Sequence, residues 1–307
     1  MRVLTDAGCA AQRVLLDEPL YATAPERAAS WLLIEHPGPW PSVGWPADLP
    51  DAARTALALA TELWVRPQLI RPLRDRRSRA CTVMVASCRP GRRWLERREL
   101  RDPAELAGLD LEAVAAGDPP GFGQRSTRPV VLVCTHGRRD VCCARRGRPL
   151  AQALAAELSG LVWETTHVGG DRFAPNVVTL PHGSYHGGAP AAAAPALAAA
   201  ALGGDVVLPY LRGIAGTPAA AQAAEHVVRR ELGLASLDAV RAVDVVQRAD
   251  AVEEVHVQAV SRRFTVWMHR RRLPDVRLTS CAGKGVHDRP YVREVVDFVE
   301  LPQEVLA

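Results

Sequence analysis

Short apolar runs and stretches of helical spacing alternate along the first hundred residues, the pattern of a mixed α/β fold. Trp31 to Glu35 (WLLIE) is an apolar run closed by His36-Pro37-Gly38-Pro39, a strand followed by a breaker. Asp51 to Leu63 has helical spacing, with Asp51 placed to cap it after Pro50. Thr82 to Ala86 (TVMVA) predicts a buried strand, and Arg93 to Leu100 alternates well enough to pair with it. Pro103 to Ala116 reads as helix, and Gly117 to Ser126 (GDPPGFGQRS) as the clearest linker.

The middle of the chain is the most strongly patterned. Pro129 to Cys134 (PVVLVC) predicts a strand, Thr135 to Arg148 a polar Cys- and Arg-rich loop, and Pro149 to Leu158 a helix with proline in its first turn. Leu161 to Thr166 and Val177 to Leu180 predict two more strands around a glycine-containing turn, His167 to Phe173. Pro181 to Gly188 reads as a loop with two histidines, and Ala191 to Leu202 as a helix. Strand, helix, strand, strand, helix is the order of a thioredoxin-like unit. In the last third, Pro218 to Leu232 is helical and stopped by Gly233. The runs Val252–Val260, Arg263–His269, Val276–Cys281 and Val292–Val299 then suggest an antiparallel sheet. The expected organisation is an N-terminal α/β region over residues 1–120, a thioredoxin-like domain over 128–215 and a C-terminal α+β region over 216–307. No internal repeat is legible.

Composition narrows the function classes. The chain has 307 residues, 48% hydrophobic and 23% charged, the balance of a packed globular protein. Lys284 is the only lysine, so the net charge of +4 is carried by arginines in short, scattered clusters such as Arg138-Arg139, Arg145-Arg146 and Arg270-Arg271-Arg272. With 5% aromatics there is no basic stripe interleaved with stacking rings, and nucleic acid is not an expected partner. Gly187 to Gly204 carries no charge but is mostly alanine, too weakly apolar for membrane insertion. Met1 opens onto Arg2 without an apolar stretch, so a cytoplasmic protein with reduced thiols is expected. No Rossmann glycine fingerprint, P-loop or glycosidase-like carboxylate pair stands out.

The candidate chemistry sits on two loops that leave strand ends, where α/β folds place their sites. The first is CTHGRRDVCCARRGRP, which carries Cys134, Cys142 and Cys143; the second is HVGGDRFA, which carries His167 and Asp171. Gly169 and Gly170 between them can take positive φ and let the backbone approach a bound group, or turn N–H groups toward anionic sulfur. Two soft thiolates with a His/Asp pair can surround a metal. The other four cysteines, Cys9, Cys81, Cys88 and Cys281, are dispersed and read as small buried hydrophobes. His226 reads as a surface residue, and His256 and His269 as structural.

The stretch CTHGRRDVCCARRGRP, followed by VWETTHVGGDRFAPNVVTLPHGSYHGG, resembles the sucrase/ferredoxin-like family. The family pattern is C-[ST]-H-x-x-R-D-x-x-C, then H-x-G-G-H-[RK]-[FY]-A, then P-x-G-x-x-[YH]-G. Trp31 to Pro41 (WLLIEHPGPWP) resembles the family's N-terminal region. The resemblance implies a thioredoxin-like ferredoxin domain whose two Cys and two His bind a [2Fe–2S] cluster. It assigns Cys134, Cys143 and His167 as ligands and puts Asp171 where the family has its second histidine. Rivals for the fourth position are Cys142, His182 and His186, with Asp171 then bonded to Arg172 or Arg139.

A carboxylate is harder than imidazole and charged, so a Cys₂-His-Asp centre should have a reduction potential below the two-His form. Two-His Rieske sites span roughly −150 to +300 mV and plant-type four-Cys sites lie near about −400 mV, which places this one between. His136 is expected to donate to a sulfur or relay protons, or else to brace the loop through Asp140. The nearby arginines could recruit an acidic redox partner. The leading expectation is an electron-transfer protein with separate donor and acceptor proteins. A thioredoxin-like thiol oxidoreductase and a structural zinc site are the alternatives, and whether the chain is an enzyme is left open.

Overall fold

The computed structural model describes residues 8–73, 81–283 and 285–302. After α1 (Cys9–Leu15), the chain forms β1 (Ser30–Glu35), α2 (Asp51–Glu62), β2 (Val65–Pro72), β3 (Cys81–Ser87), β4 (Trp94–Leu100), α3 (Leu111–Ala116) and the short β5 (Gln124–Arg125). Then follow β6 (Val130–Cys134), α4 (Val141–Glu157), β7 (Val162–Thr165), β8 (Asn176–Leu180), β9 (Ser184–Gly187), α5 (Ala194–Gly203) and β10 (Leu211–Ile214). All ten strands belong to one sheet, in the order β10-β9-β8-β6-β7-β2-β1-β3-β4-β5.

That order contains the same unit twice. In β6-α4-β7-β8-β9-α5, β6 runs parallel to β7 and antiparallel to β8, which pairs with β9. In β1-α2-β2-β3-β4-α3, β1 runs parallel to β2 and antiparallel to β3, which pairs with β4. The two units join edge to edge through the antiparallel pair β2–β7, with Ile70 opposite Thr165. β1 and β6 are thus internal strands, and both are apolar on both faces, as a doubly covered strand requires.

Side-chain alternation divides the core into two layers. Leu32 and Ile34 pack with α2 and α3, and Val131 and Val133 pack with α4 and α5. The other set, including Trp31, Leu33, Ile70, Leu132, Cys134 and Trp163, lies on the opposite face with Cys9 and Ala10 of α1 and with Cys142 and Cys143. The register across β2–β7 puts the helices of both units on one face, leaving the other to α1 and the chain that returns from the C-terminal third.

That third begins with α6 (Ala219–Leu232), which packs on an antiparallel sheet of β11 (Val240–Gln247), β12 (Val252–Ala259), β13 (Arg262–Arg272) and β16 (Tyr291–Leu301). β12 (VEEVHVQA) alternates strictly between half-buried and buried positions, the signature of one covered face. A hairpin of β14 (Arg277–Ser280) and β15 (Val286–Asp288) leaves this sheet and reaches α1, where the Leu278 N–H donates to Gln12 Oε1 at 2.9 Å.

Candidate metal centre

Cys134 ends β6 and is fully buried. The next six residues turn back, and Asp140 caps α4 by accepting the Cys142 N–H at 2.8 Å. The helix therefore begins at Val141, eight residues before the expected start, and Cys142 and Cys143 stand in its first turn rather than on a loop. Pro149 lies inside the helix instead of opening it. α4 passes so close to the end of β6 that a Cβ on Gly147 would sit 2.2 Å from the Cys134 carbonyl oxygen; only glycine fits there.

His167 and Asp171 arrive from beyond β7. Cys134, Cys143 and His167 bring their donor atoms within 4.8 Å of one another. Asp171 joins through Oδ1, 3.1 Å from His167 Nδ1 and 3.8 Å from Cys143 Sγ. Both thiols are fully buried, Asp171 is buried and His167 is half-buried, so the imidazole is the member of the group that reaches the surface. The Cys143 S–H points at Asp171 Oδ1; the neighbouring Cys143 and His167 lower the Cys134 thiol, while Cys134 and burial raise the Cys143 thiol. Burial raises the Asp171 carboxyl. A cation bound here would relieve that desolvation and displace the thiol protons.

The rival fourth donors lie elsewhere. His186 is buried on β9, its Nε2 accepts the Val207 N–H at 3.1 Å, and burial pushes it down to about 4. Among the described residues, His182 belongs to no group of converging donors. Cys142 points away from Cys143 and meets Cys281, Sγ to Sγ 3.7 Å. Asp171 pairs with neither Arg172 nor Arg139 but with His167.

The supporting residues differ in part from expectation. The His136 imidazole does not bond Asp140, which reaches His136 only through its backbone N–H. Its Nε2 donates to the Pro41 carbonyl at 2.9 Å and its Nδ1 accepts the His167 N–H at 3.3 Å, so both nitrogens are committed and the ring holds the backbone that carries His167. Gly169 and Gly170 have φ of +94° and +80°. The close approach that Gly170 permits is by Arg212, whose Nη2 would stand 2.6 Å from an added Cβ. Arg172 donates to Glu18 Oε1 at 2.6 Å and lies over the Phe173 ring.

Two residues that sequence reasoning missed complete the surroundings. Arg212, on β10, is buried beneath the glycine loop and donates to Gly169 O (3.0 Å), Asn176 Oδ1 (2.8 Å), Thr23 Oγ1 (3.0 Å) and the Thr23 carbonyl. Glu18 is buried between Arg172 and Arg277, 3.6 Å from Arg277 Nη1. It ties the segment after α1 to the site loop and to β14. Neither residue stands in a patterned stretch, and no local signal marks them.

His226, read as a surface residue, is half-buried and stacks on Tyr21, with ring centroids 4.8 Å apart. Among the described residues no helix is long and apolar enough to cross a membrane. No curated protein and no solved structure matches the chain. A family profile described as sucrase/ferredoxin-like matches residues 21–213, well over half of the 307, and spans both units of the large sheet together with every member of the Cys134 group. The chain belongs to the sucrase/ferredoxin-like family.

Proposed function

We propose that this chain is a thioredoxin-like ferredoxin in which Cys134, Cys143, His167 and Asp171 hold a [2Fe–2S] cluster, and that it passes single electrons between protein partners. The observation that carries the proposal is the convergence of two buried thiols, an imidazole and a buried carboxylate from the end of β6, the first turn of α4 and the loop after β7. The order β7-β6-β8-β9, with β6 and β7 parallel, α4 on the crossover between them and α5 after β9, supports the thioredoxin-like part. Such a cluster supplies one-electron redox chemistry. The chain's own residues fix the donors: Asp140 sets the start of α4 and hence Cys143, His136 anchors His167, and Arg212 supports the Gly169-Gly170 turn before Asp171. The site stays dry except at the imidazole edge, so a redox partner would dock where His167 meets solvent.

A thiol oxidoreductase is less well supported. Cys134 and Cys143 are fully buried, so no substrate disulfide reaches either sulfur.

The test is a set of cysteine variants purified without oxygen. Cys134→Ala and Cys143→Ala should each abolish the visible absorption and the bound iron. Cys142→Ala should keep both, because its sulfur faces Cys281. Loss of colour on Cys142→Ala with retention on Cys143→Ala would reverse the ligand assignment.

A further inference from the structure

Cys9, Cys142 and Cys281, read from the sequence as dispersed or packed thiols, come together beside Asp140. The Cys142 and Cys281 sulfurs are 3.7 Å apart, and Cys9 Sγ lies 3.6 and 3.9 Å from the two Asp140 oxygens. The Cys9 N–H also points at Cys281 Sγ, 3.2 Å away. All four donor atoms lie within 4.8 Å of one another, and all seven cysteines are free thiols. We infer that Cys9, Cys142 and Cys281, with the Asp140 carboxylate, form a second metal centre that takes a thiophilic divalent cation of the zinc class.

The geometry is that of a tetrahedral site before metal enters. At a Zn–S distance of about 2.3 Å, two thiolates of a tetrahedron stand about 3.8 Å apart, and a thiolate and a carboxylate oxygen about 3.6 Å apart. The carboxylate is already oriented. Asp140 Oδ1 accepts the Cys142 N–H, and Oδ2 accepts the Cys281 N–H (2.6 Å) and the Ser280 hydroxyl (3.2 Å). Two of the residues that bring thiols thus also lock the oxygen donor, as groups surrounding metal ligands do. Oδ1 keeps a lone pair for the ion. Burial of small thiols explains one cysteine at a time; it does not explain three from segments more than a hundred residues apart meeting on one carboxylate. Binding would displace the thiol protons to solvent and change no oxidation state.

The placement says what the centre does. Cys9 and Cys281 lie outside residues 21–213, so two of the three thiols belong to segments flanking the family region. One is the first residue of α1, the other follows β14, and both segments cover the sheet face that holds the Cys134 group. Cys142 and Cys143, adjacent in the first turn of α4, serve different centres. A metal at Cys9, Cys142 and Cys281 would fasten both flanking segments over the first site, beside the ion pairs of Glu18 with Arg172 and Arg277.

The test is metal content and Zn(II) or Co(II) binding by the full chain. Wild-type protein should hold one zinc per chain in addition to any iron, and Co(II) should give thiolate-to-metal charge transfer. Cys9→Ser and Cys281→Ser should each weaken Zn(II) binding at least about tenfold while iron and visible colour remain. Cys134→Ala should lose iron and keep the zinc. Protein free of iron that still loses zinc on Cys9→Ser would end the ferredoxin reading and leave this one standing. Should the serine variants fail to fold, alkylation of wild-type protein decides. Zn(II) should protect Cys9, Cys142 and Cys281, and a chelator should expose them. No zinc in wild-type protein, zinc retained by Cys281→Ser, or a Cys142–Cys281 disulfide in protein kept from oxygen would each overturn the inference.

Discussion

Asp171→His should raise the reduction potential of the centre by roughly 100 mV or more. The two-His Rieske sites begin about 250 mV above plant-type four-Cys sites, a difference of two anionic ligands, and one such exchange is worth about half of that gap. The side chain is well placed to exert the effect: its Oδ1 is 3.1 Å from His167 Nδ1 and 3.8 Å from Cys143 Sγ, in a site that excludes water. Asp171→Ala removes the donor without a substitute and should leave protein that loses iron and colour within a purification. Redox titration of the three proteins under argon separates the possibilities. Equal potentials and equal iron retention in all three would remove Asp171 from the ligand set and return it to a partner of His167.

Arg212→Met is the variant expected to cost most stability. The guanidinium is fully buried and lies over the rings of Phe173 and Tyr185, 4.7 and 5.4 Å from their centroids. Burial pushes it down to about 9, yet it stays charged at neutral pH. Methionine fills much of the volume but leaves Gly169 O, Asn176 Oδ1 and the Thr23 oxygens without their donor. Each orphaned acceptor costs about 1–3 kcal/mol, partly offset by no longer burying a charge, so a net loss on the order of 3 kcal/mol is expected. Thermal melting should fall by several degrees and the centre should become labile, because the turn between His167 and Asp171 loses its floor. Arg212→Lys should recover little, since an ammonium cannot span these acceptors. An unchanged melting temperature in Arg212→Met would show that the buried cation contributes nothing net.

Much of the site could be read locally. Cys134, Cys143, His167 and Asp171 stand in two motifs with glycine and histidine at telling offsets, and the structure brings the four together. The runs Trp31–Glu35, Thr82–Ala86 and Pro129–Cys134 became β1, β3 and β6 because strands covered on both faces must be apolar throughout. β2 escaped notice because Pro67, Pro72, Arg66 and Arg71 break its apolar pattern, although this strand joins the two halves of the sheet. The start of α4 was hidden by Gly147 and Pro149, which read as loop residues until the close approach to Cys134 O explains the glycine. The duplicated β-α-β-β-β-α unit left no repeat in the residues, since each half needs only apolar side chains in the same order of elements. Cys9 and Cys281 could not be paired from sequence at all: contacts across more than a hundred residues carry no spacing signal, and each alone resembles a buried hydrophobe.

The decisive measurement is iron, acid-labile sulfide and EPR on protein purified without oxygen. About two iron and two sulfide per chain, with a signal that appears on one-electron reduction, is the expected result. Colourless protein without iron, or zinc in its place on Cys134 and Cys143, would contradict an electron carrier built on these two loops.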